Sequence, residues 1–240
     1  MMNPIPPSEL FAMVAAGMPS DLTLGLAVQT VNGLRNWTVD ARGATRVDAR
    51  FAELLDLLGA LRADGALGFR FDTETGPRTA YLLLEDREGH PLDPRARRLI
   101  ELLGLDPGLR SFPIRFGFSE GRAGEIRIYT RSLIEILGNL AARVEVPRDD
   151  IAAGRTYAIQ PSPAELPAVP DLTVRSRPDY PWDSFVPRDS FVAVQYRDHW
   201  YWIDHRDFGS KRVFTALMLL LNLVDKGREA QLPVITIPTG

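Results

Sequence analysis

Between Pro147 and Pro187 the chain carries eight of its 19 prolines, at positions 147, 161, 163, 167, 170, 178, 181 and 187. Proline fixes φ, lacks an amide proton and pushes the residue before it out of the helical region. Such a density is expected to exclude helix from the whole stretch and to favour extended chain lying along a surface. The same stretch keeps Tyr157, Ile159, Leu172, Val174, Tyr180, Trp182 and Phe185. A disordered linker holds few residues of that kind, so the segment reads as an ordered strap. It divides the 240 residues into an N-terminal lobe at 1–146, a connector at 147–190 and a C-terminal lobe at 191–240. That length suits one large domain or two small ones.

In the N-terminal part, Ser8 and Glu9 open a short helix through Leu10, Phe11 and Val14. TLGLAVQTV at 23–31 alternates and is β-branched, which predicts a strand. A helix over 49–62 follows, with Asp48 as N-cap and Phe51, Leu54, Leu55, Leu58 and Leu61 on one face. GFRFDTETGPRTAYLLLE predicts two strands around a Thr-Gly-Pro turn. Asp93-Pro94 supplies a capping acid and then proline at the first helical position, and that helix runs through LIELLG to Gly104. FPIRFGF and EIRIYT predict a second hairpin around SEGRAG, and SLIEILGNLAARV a helix from Ser132 to Val144.

Three hexamers are alike: LLDLLG at 54, LIELLG at 99 and LIEILG at 133. Their spacing is uneven, whereas a solenoid needs a fixed period. They are expected to be similar amphipathic helix ends with glycine near the C-cap; a duplicated hairpin–helix unit is the other reading.

In the C-terminal part, FVAVQY and WYWID predict a hairpin about Arg197-Asp198. Either register leaves apolar residues on both faces, so the hairpin is expected to be covered on both. A helix apolar nearly all round follows from about Ser210 to Asp225, closed by Asp225, Lys226 and Gly227. Such a helix is central or lies at an interface. LPVITIP predicts a final strand between Pro233 and Pro238.

Composition narrows the function classes. The net charge of −3 gives no pull toward nucleic acid or anionic membrane. Lys211 and Lys226 are the two lysines, so the positive charge is almost all arginine, the codon bias expected of a GC-rich bacterial genome. The absence of cysteine excludes disulfides, thiolate catalysis, cysteine-ligated zinc and iron–sulfur clusters. No basic residue precedes Arg35, so no secretory signal is expected. The longest apolar run, 213–224, is too short to span a bilayer. The expectations are a cytoplasmic protein, no nucleic-acid or membrane partner, no cofactor and no metal.

Five features carry chemistry on paper. GFSEG at 117–121 matches a nucleophile elbow, but that motif needs a helix after the serine; here a strand follows, which places Ser119 in a turn. Asp198-His199 and Asp204-His205 pair carboxylate with imidazole, as metal sites and general bases do. Extended chain separates the two histidines by about 20 Å at ~3.3 Å per residue, too far for one metal. Trp200, Tyr201 and Trp202 could stack on bases, but alternate residues face opposite ways, and core packing is the expected role. The acids Glu85, Asp86, Glu88, Asp149 and Asp150 read as solvated loop charges and helix starts.

DFGSKR at 207–212 is the sharpest of these. Asp207 or Ser210 can cap the last long helix. Lys211 and Arg212 then fall in its first turn, where the dipole disfavours cations by roughly 0.3–1 kcal/mol each. Pairing with Asp204 and Asp207 would offset that. Alternatively, Ser210, Lys211 and Arg212 surround a phosphate or carboxylate at the helix N-terminus, with Asp204 or His205 as neighbouring acid–base candidates.

RSLIEILGNLAARVEVP and the block from FVAVQY to LPVITIPTG resemble parts of uncharacterised bacterial proteins of similar length. That resemblance implies no activity. The chain is expected to be an α+β fold, with β-hairpins and packed helices in two lobes joined by the proline-rich strap. Its expected function is that of a non-enzymatic interaction, assembly or accessory subunit with a protein partner or self-association. The rival is an enzyme or sensor that binds an anion at 207–212.

Overall fold

The computed structural model describes residues 3–36, 38–39, 45–46, 48–73, 77–85, 91–118, 121–141, 144–156, 172–179 and 185–229. Among them run, in chain order, α1 (Pro7–Ala15), α2 (Ser20–Ala27), β1 (Val28–Val31), β2 (Leu34–Arg35), β3 (Thr38–Val39), β4 (Thr45–Arg46) and α3 (Ala49–Ala63). Next come β5 (Leu67–Asp72), β6 (Thr79–Leu84), α4 (Pro94–Leu103), β7 (Ser111–Phe116), β8 (Ile126–Thr130), α5 (Leu133–Ala141) and α6 (Arg148–Ala152). β9 (Arg175–Pro178), β10 (Ser190–Tyr196), β11 (His199–Asp204) and α7 (Phe208–Glu229) complete the set. The fold is α+β. One sheet has the strand order β2-β1-β8-β7-β6-β5, a second the order β10-β11-β9, and β3 pairs with β4 alone.

Local sequence chemistry accounts for the helix ends. Asp48 accepts the Arg50 amide proton at 2.9 Å and opens α3. Asp93 does the same for Arg95 at 2.8 Å ahead of Pro94, and α4 ends on Gly104 at φ 62°, a left-handed cap that glycine adopts without strain. Ser132 and Glu135 form a reciprocal cap on α5. The Glu135 carboxylate accepts from the Ser132 amide at 2.7 Å, and the Glu135 amide donates back to the Ser132 hydroxyl at 3.3 Å. Those bonds from Ser132 hold the Glu135 carboxyl below its usual range.

The helices bury one face of the six-stranded sheet. α1 lies on β5, β6 and β7, and α3 packs on α2, α4 and β5. Phe51, Leu54, Leu55, Leu58 and Leu61 are all buried, as their spacing predicts. Each fully buried side chain of this size contributes about 1.5–3 kcal/mol. Ile203, Val213, Ala216, Leu217 and Leu220 belong to the same buried cluster as Leu10, Phe51 and Phe112. The C-terminal elements therefore share the N-terminal core, and α7 docks on α2.

Arg131 fastens the centre. It is 4% exposed, and one guanidinium nitrogen donates to the carbonyls of Leu26 at 3.2 Å and Val28 at 2.6 Å. Burial pushes its pKa down to about 10, partly opposed by Glu135.

Several expectations are corrected. Residues 23–27 belong to helix α2, and only Val28–Val31 are strand. Every residue from Leu22 to Val28 is buried, so the run has no polar face to reveal its period. β7 and β8 are neighbours but parallel, with Ile114 beside Ile126 and Phe116 beside Ile128. The segment before β8 first runs back, since Ala123 accepts the Asp106 amide proton at 2.7 Å before β7 begins.

Gly59 and Gly138 lie inside α3 and α5, so of the three hexamers only LIELLG ends on a glycine cap. α5 is described over Leu133–Ala141, and Val144, the expected end of the helix, instead forms a bridge with Val174. The strap contains helix α6, which uses Pro147 as its N-cap, a position where proline costs no hydrogen bond. The strap also supplies β9 to the C-terminal sheet. α7 begins two residues earlier than expected and runs past Asp225, Lys226 and Gly227 to Glu229. Ser119, Asp86, Glu88 and the LPVITIP segment lie outside the described residues.

Candidate protein-interaction surface

The C-terminal sheet is built by the expected hairpin. Val192, Val194 and Tyr196 of β10 stand opposite Ile203, Tyr201 and His199 of β11, and β9 completes the other side, with Arg177 opposite Trp200 and Arg175 opposite Trp202. Arg197 at φ 54° forms the turn. The hairpin is not covered on both faces as its sequence suggested. Ile203 is buried, but Val194 is 59% exposed and Tyr196 60%. Trp200, Tyr201 and Trp202 are half-buried, short of the core role expected of them. The Trp200 indole donates to Asp179 at 3.1 Å, and the Gln195 amide donates to the same carboxylate.

The apolar exposure continues around this sheet. Phe185 is 77% exposed and Phe208 73%, and Val186, Phe191, Val192, Met218 and Leu219 are also open. Of the 14 large hydrophobic side chains exposed among the described residues, nine lie between positions 185 and 219. Single exposed apolar residues are ordinary, whereas a concentration of them marks a contact surface. Among the described residues, β10 is also the edge of its sheet.

The helix N-terminus at 207–212 uses its polar groups internally. Asp207 caps α7, accepting the Ser210 amide at 3.0 Å and the Ser210 hydroxyl at 2.7 Å. Ser210 is 2% exposed, and its hydroxyl accepts the Thr173 amide proton at 2.8 Å. The Lys211 ammonium donates to the His205 carbonyl at 3.1 Å and sits 4.8 Å from the Phe208 ring and 5.3 Å from the Phe191 ring. Arg212 reaches Asp21 on α2 at 3.5 Å. Neither cation pairs with Asp204 or Asp207. Asp204 instead accepts the Arg206 amide at 2.8 Å and lies 3.8 Å from Arg175. The anion that compensates this helix dipole is the Asp207 carboxylate of the chain itself.

The two histidines are not brought together. His199 pairs with Tyr196 beside the turn, and His205 follows the far end of β11, its amide donating to Asp189 at 2.7 Å. No cluster of three metal-ligating side chains occurs among the described residues. A pocket of about 220 Å³ between α6 and the hairpin turn is lined by Asp150, Arg155, Tyr196, Arg197, Asp198, His199 and Tyr201. Asp150 and Arg155 neutralise each other at 2.6 Å. Burial pushes the Tyr201 hydroxyl up, and nearby Asp150 adds to the shift. No nucleophile with an adjacent base is assembled there.

GFSEG also finds a packing account. A Cβ on Gly121 would collide with the Asn32 side-chain amide, which donates to the Leu103 carbonyl at 2.8 Å and accepts the Arg127 amide proton at 2.7 Å. The second glycine of the motif thus permits a close approach of chain to Asn32. The sequence carried a signal for the surface itself that the covered-hairpin reading missed: β10 holds no charge and no proline. No family model, curated protein or solved structure matches the chain.

Proposed function

We propose that this chain is a non-enzymatic interaction protein, an assembly or accessory subunit of a bacterial cytoplasmic complex. The observation that carries the reading is the concentration of exposed apolar side chains on β10, its flanks and α7. Interface cores are depleted of charged side chains and enriched in aromatic ones, and β10 itself carries no charge. No helix among the described residues is long and apolar enough to cross a membrane, so a lipid-spanning role for α7 finds no support. The polar groups at 207–212 are engaged within the chain, which leaves the anion-binding rival without a supporting observation.

Native mass spectrometry of the untagged protein, gently purified from its own cells at low salt, tests the proposal. Masses at whole-number multiples of the chain, or with a second chain in fixed ratio, support it. A bare monomer with no partner sinks it.

A further inference from the structure

We propose that this chain binds a free α-amino acid in the cleft between the α1–α2 turn and the end of α3. The ligand's carboxylate sits at the N-terminus of α2 with Ser20 and Arg62, and its ammonium on Asp21. The site shares no residue with the apolar surface described above and goes beyond the interaction reading. The cleft holds about 440 Å³, within the range of small-molecule sites.

Ser20 carries the argument. It lines the cleft from the first position of α2 and is 6% exposed. Its hydroxyl has no hydrogen-bond partner among the described residues. A Cβ on Gly59, which lines the same cleft, would stand 3.5 Å from that hydroxyl oxygen, so the hydroxyl is turned to the cleft wall that Gly59 leaves bare. Thr23, three residues on and therefore on the same side of α2, is 1% exposed, and its hydroxyl also has no partner among the described residues. Buried polar groups are otherwise nearly always bonded. The helix end around Ser20 is unspent as well. Pro19 caps α2 without a side-chain bond, and the first amide of the helix to reach a carbonyl is that of Thr23, on Pro19 at 3.0 Å. Free amides at a helix N-terminus take an anionic group.

The charges lining the cleft choose the ligand. Arg62 spends one nitrogen on the Ala15 carbonyl at 3.1 Å and keeps further N–H donors for a carboxylate. Asp21 is the other charge there among the described residues; it is 59% exposed, and its Arg212 partner stands off at 3.5 Å. One cation and one anion leave a dianion such as phosphate unmatched, but they match a zwitterion. Gly17, Pro19 and Ala63 add wall without charge or side-chain donor, which suits a small apolar side chain. Gly59 lies inside α3, where glycine costs helix stability. An added Cβ there meets only ordinary van der Waals contact, so packing does not require the glycine, whereas an open cleft does.

Thermal unfolding of the full chain tests the proposal. At about 10 mM, L-alanine, L-valine or L-leucine is expected to raise the Tm of the native chain by about 2 °C or more, and acetate at the same concentration to leave it unmoved. Gly59→Leu fills the cleft with a better helix former. It is expected to abolish the shift with a Tm no lower than that of the native chain. Arg62→Gln is expected to abolish the shift too, and Asp21→Asn to weaken binding about fivefold in isothermal titration calorimetry, as the loss of one exposed ion pair does. A native Tm that none of the three amino acids moves overturns the proposal. So does a shift that acetate reproduces, or one that survives undiminished in Gly59→Leu or Arg62→Gln.

Discussion

The Ser210 hydroxyl accepts the Thr173 amide proton at 2.8 Å while donating its own proton to the Asp207 carboxylate at 2.7 Å. One buried oxygen thereby joins the strap to the first turn of α7. Ser210→Ala leaves the Thr173 amide without its acceptor and the capping acid without one donor. It is expected to lower stability by about 1–3 kcal/mol, read as a shift in the urea midpoint. A variant as stable as the native chain would show that the strap is not held there.

Lys211→Glu separates the structural role of this helix end from an anion-binding one. The substitution removes the cation from between Phe208 and Phe191 and the bond to the His205 carbonyl. It also places a carboxylate where the helix dipole favours one. These effects oppose each other, and the net change is expected to stay within about 1 kcal/mol. Inorganic phosphate is expected to leave the Tm of both forms unmoved. A phosphate-dependent rise in the native chain, abolished by the variant, would restore the anion site.

Gly121→Ala tests the packing account of GFSEG. The added methyl group must displace the Asn32 amide, and with it the bonds to Leu103 and Arg127 that join β1–β2, α4 and β8. A loss of about 1–3 kcal/mol is expected in urea unfolding. An unaffected melting curve would mean that Asn32 has room to move aside.

Legibility in the sequence followed the range of the interactions. Asp48, Asp93 and Gly104 act within a few residues of themselves, and their helix ends stand where the sequence placed them. α2 was hidden because a segment buried all round shows no period. The direction of β8 was hidden for a different reason: pairing with β7 is set by how 121–125 return past Asp106, a tertiary matter. The candidate surface was half legible. The hairpin and its turn follow from local patterning, but which side of β10 remains open depends on where β9 and α7 dock. The contact between Thr173 and Ser210, 37 residues apart, leaves no local trace in either segment.

Acid is expected to destabilise the chain with a sign fixed by its paired carboxylates. The Arg95 guanidinium and amide beside Asp93 hold its carboxyl at about 2, below the ordinary 3.8. Asp48 beside Arg50, Glu53 beside Arg98 and Glu135 beside Ser132 are lowered in the same direction. Between the folded and unfolded pKa values the unfolded chain binds more protons, so stability rises with pH there. The contribution of Asp93 is complete above about pH 4 and is lost as pH falls toward about 2. Asp93→Asn keeps a capping oxygen but removes the titration. Its deficit relative to the native chain is therefore expected to be larger at about pH 6 than at about pH 2.5, measured as urea midpoints at both. A deficit independent of pH would mean that Asp93 stabilises α4 through its cap alone and that its ion pair with Arg95 contributes nothing.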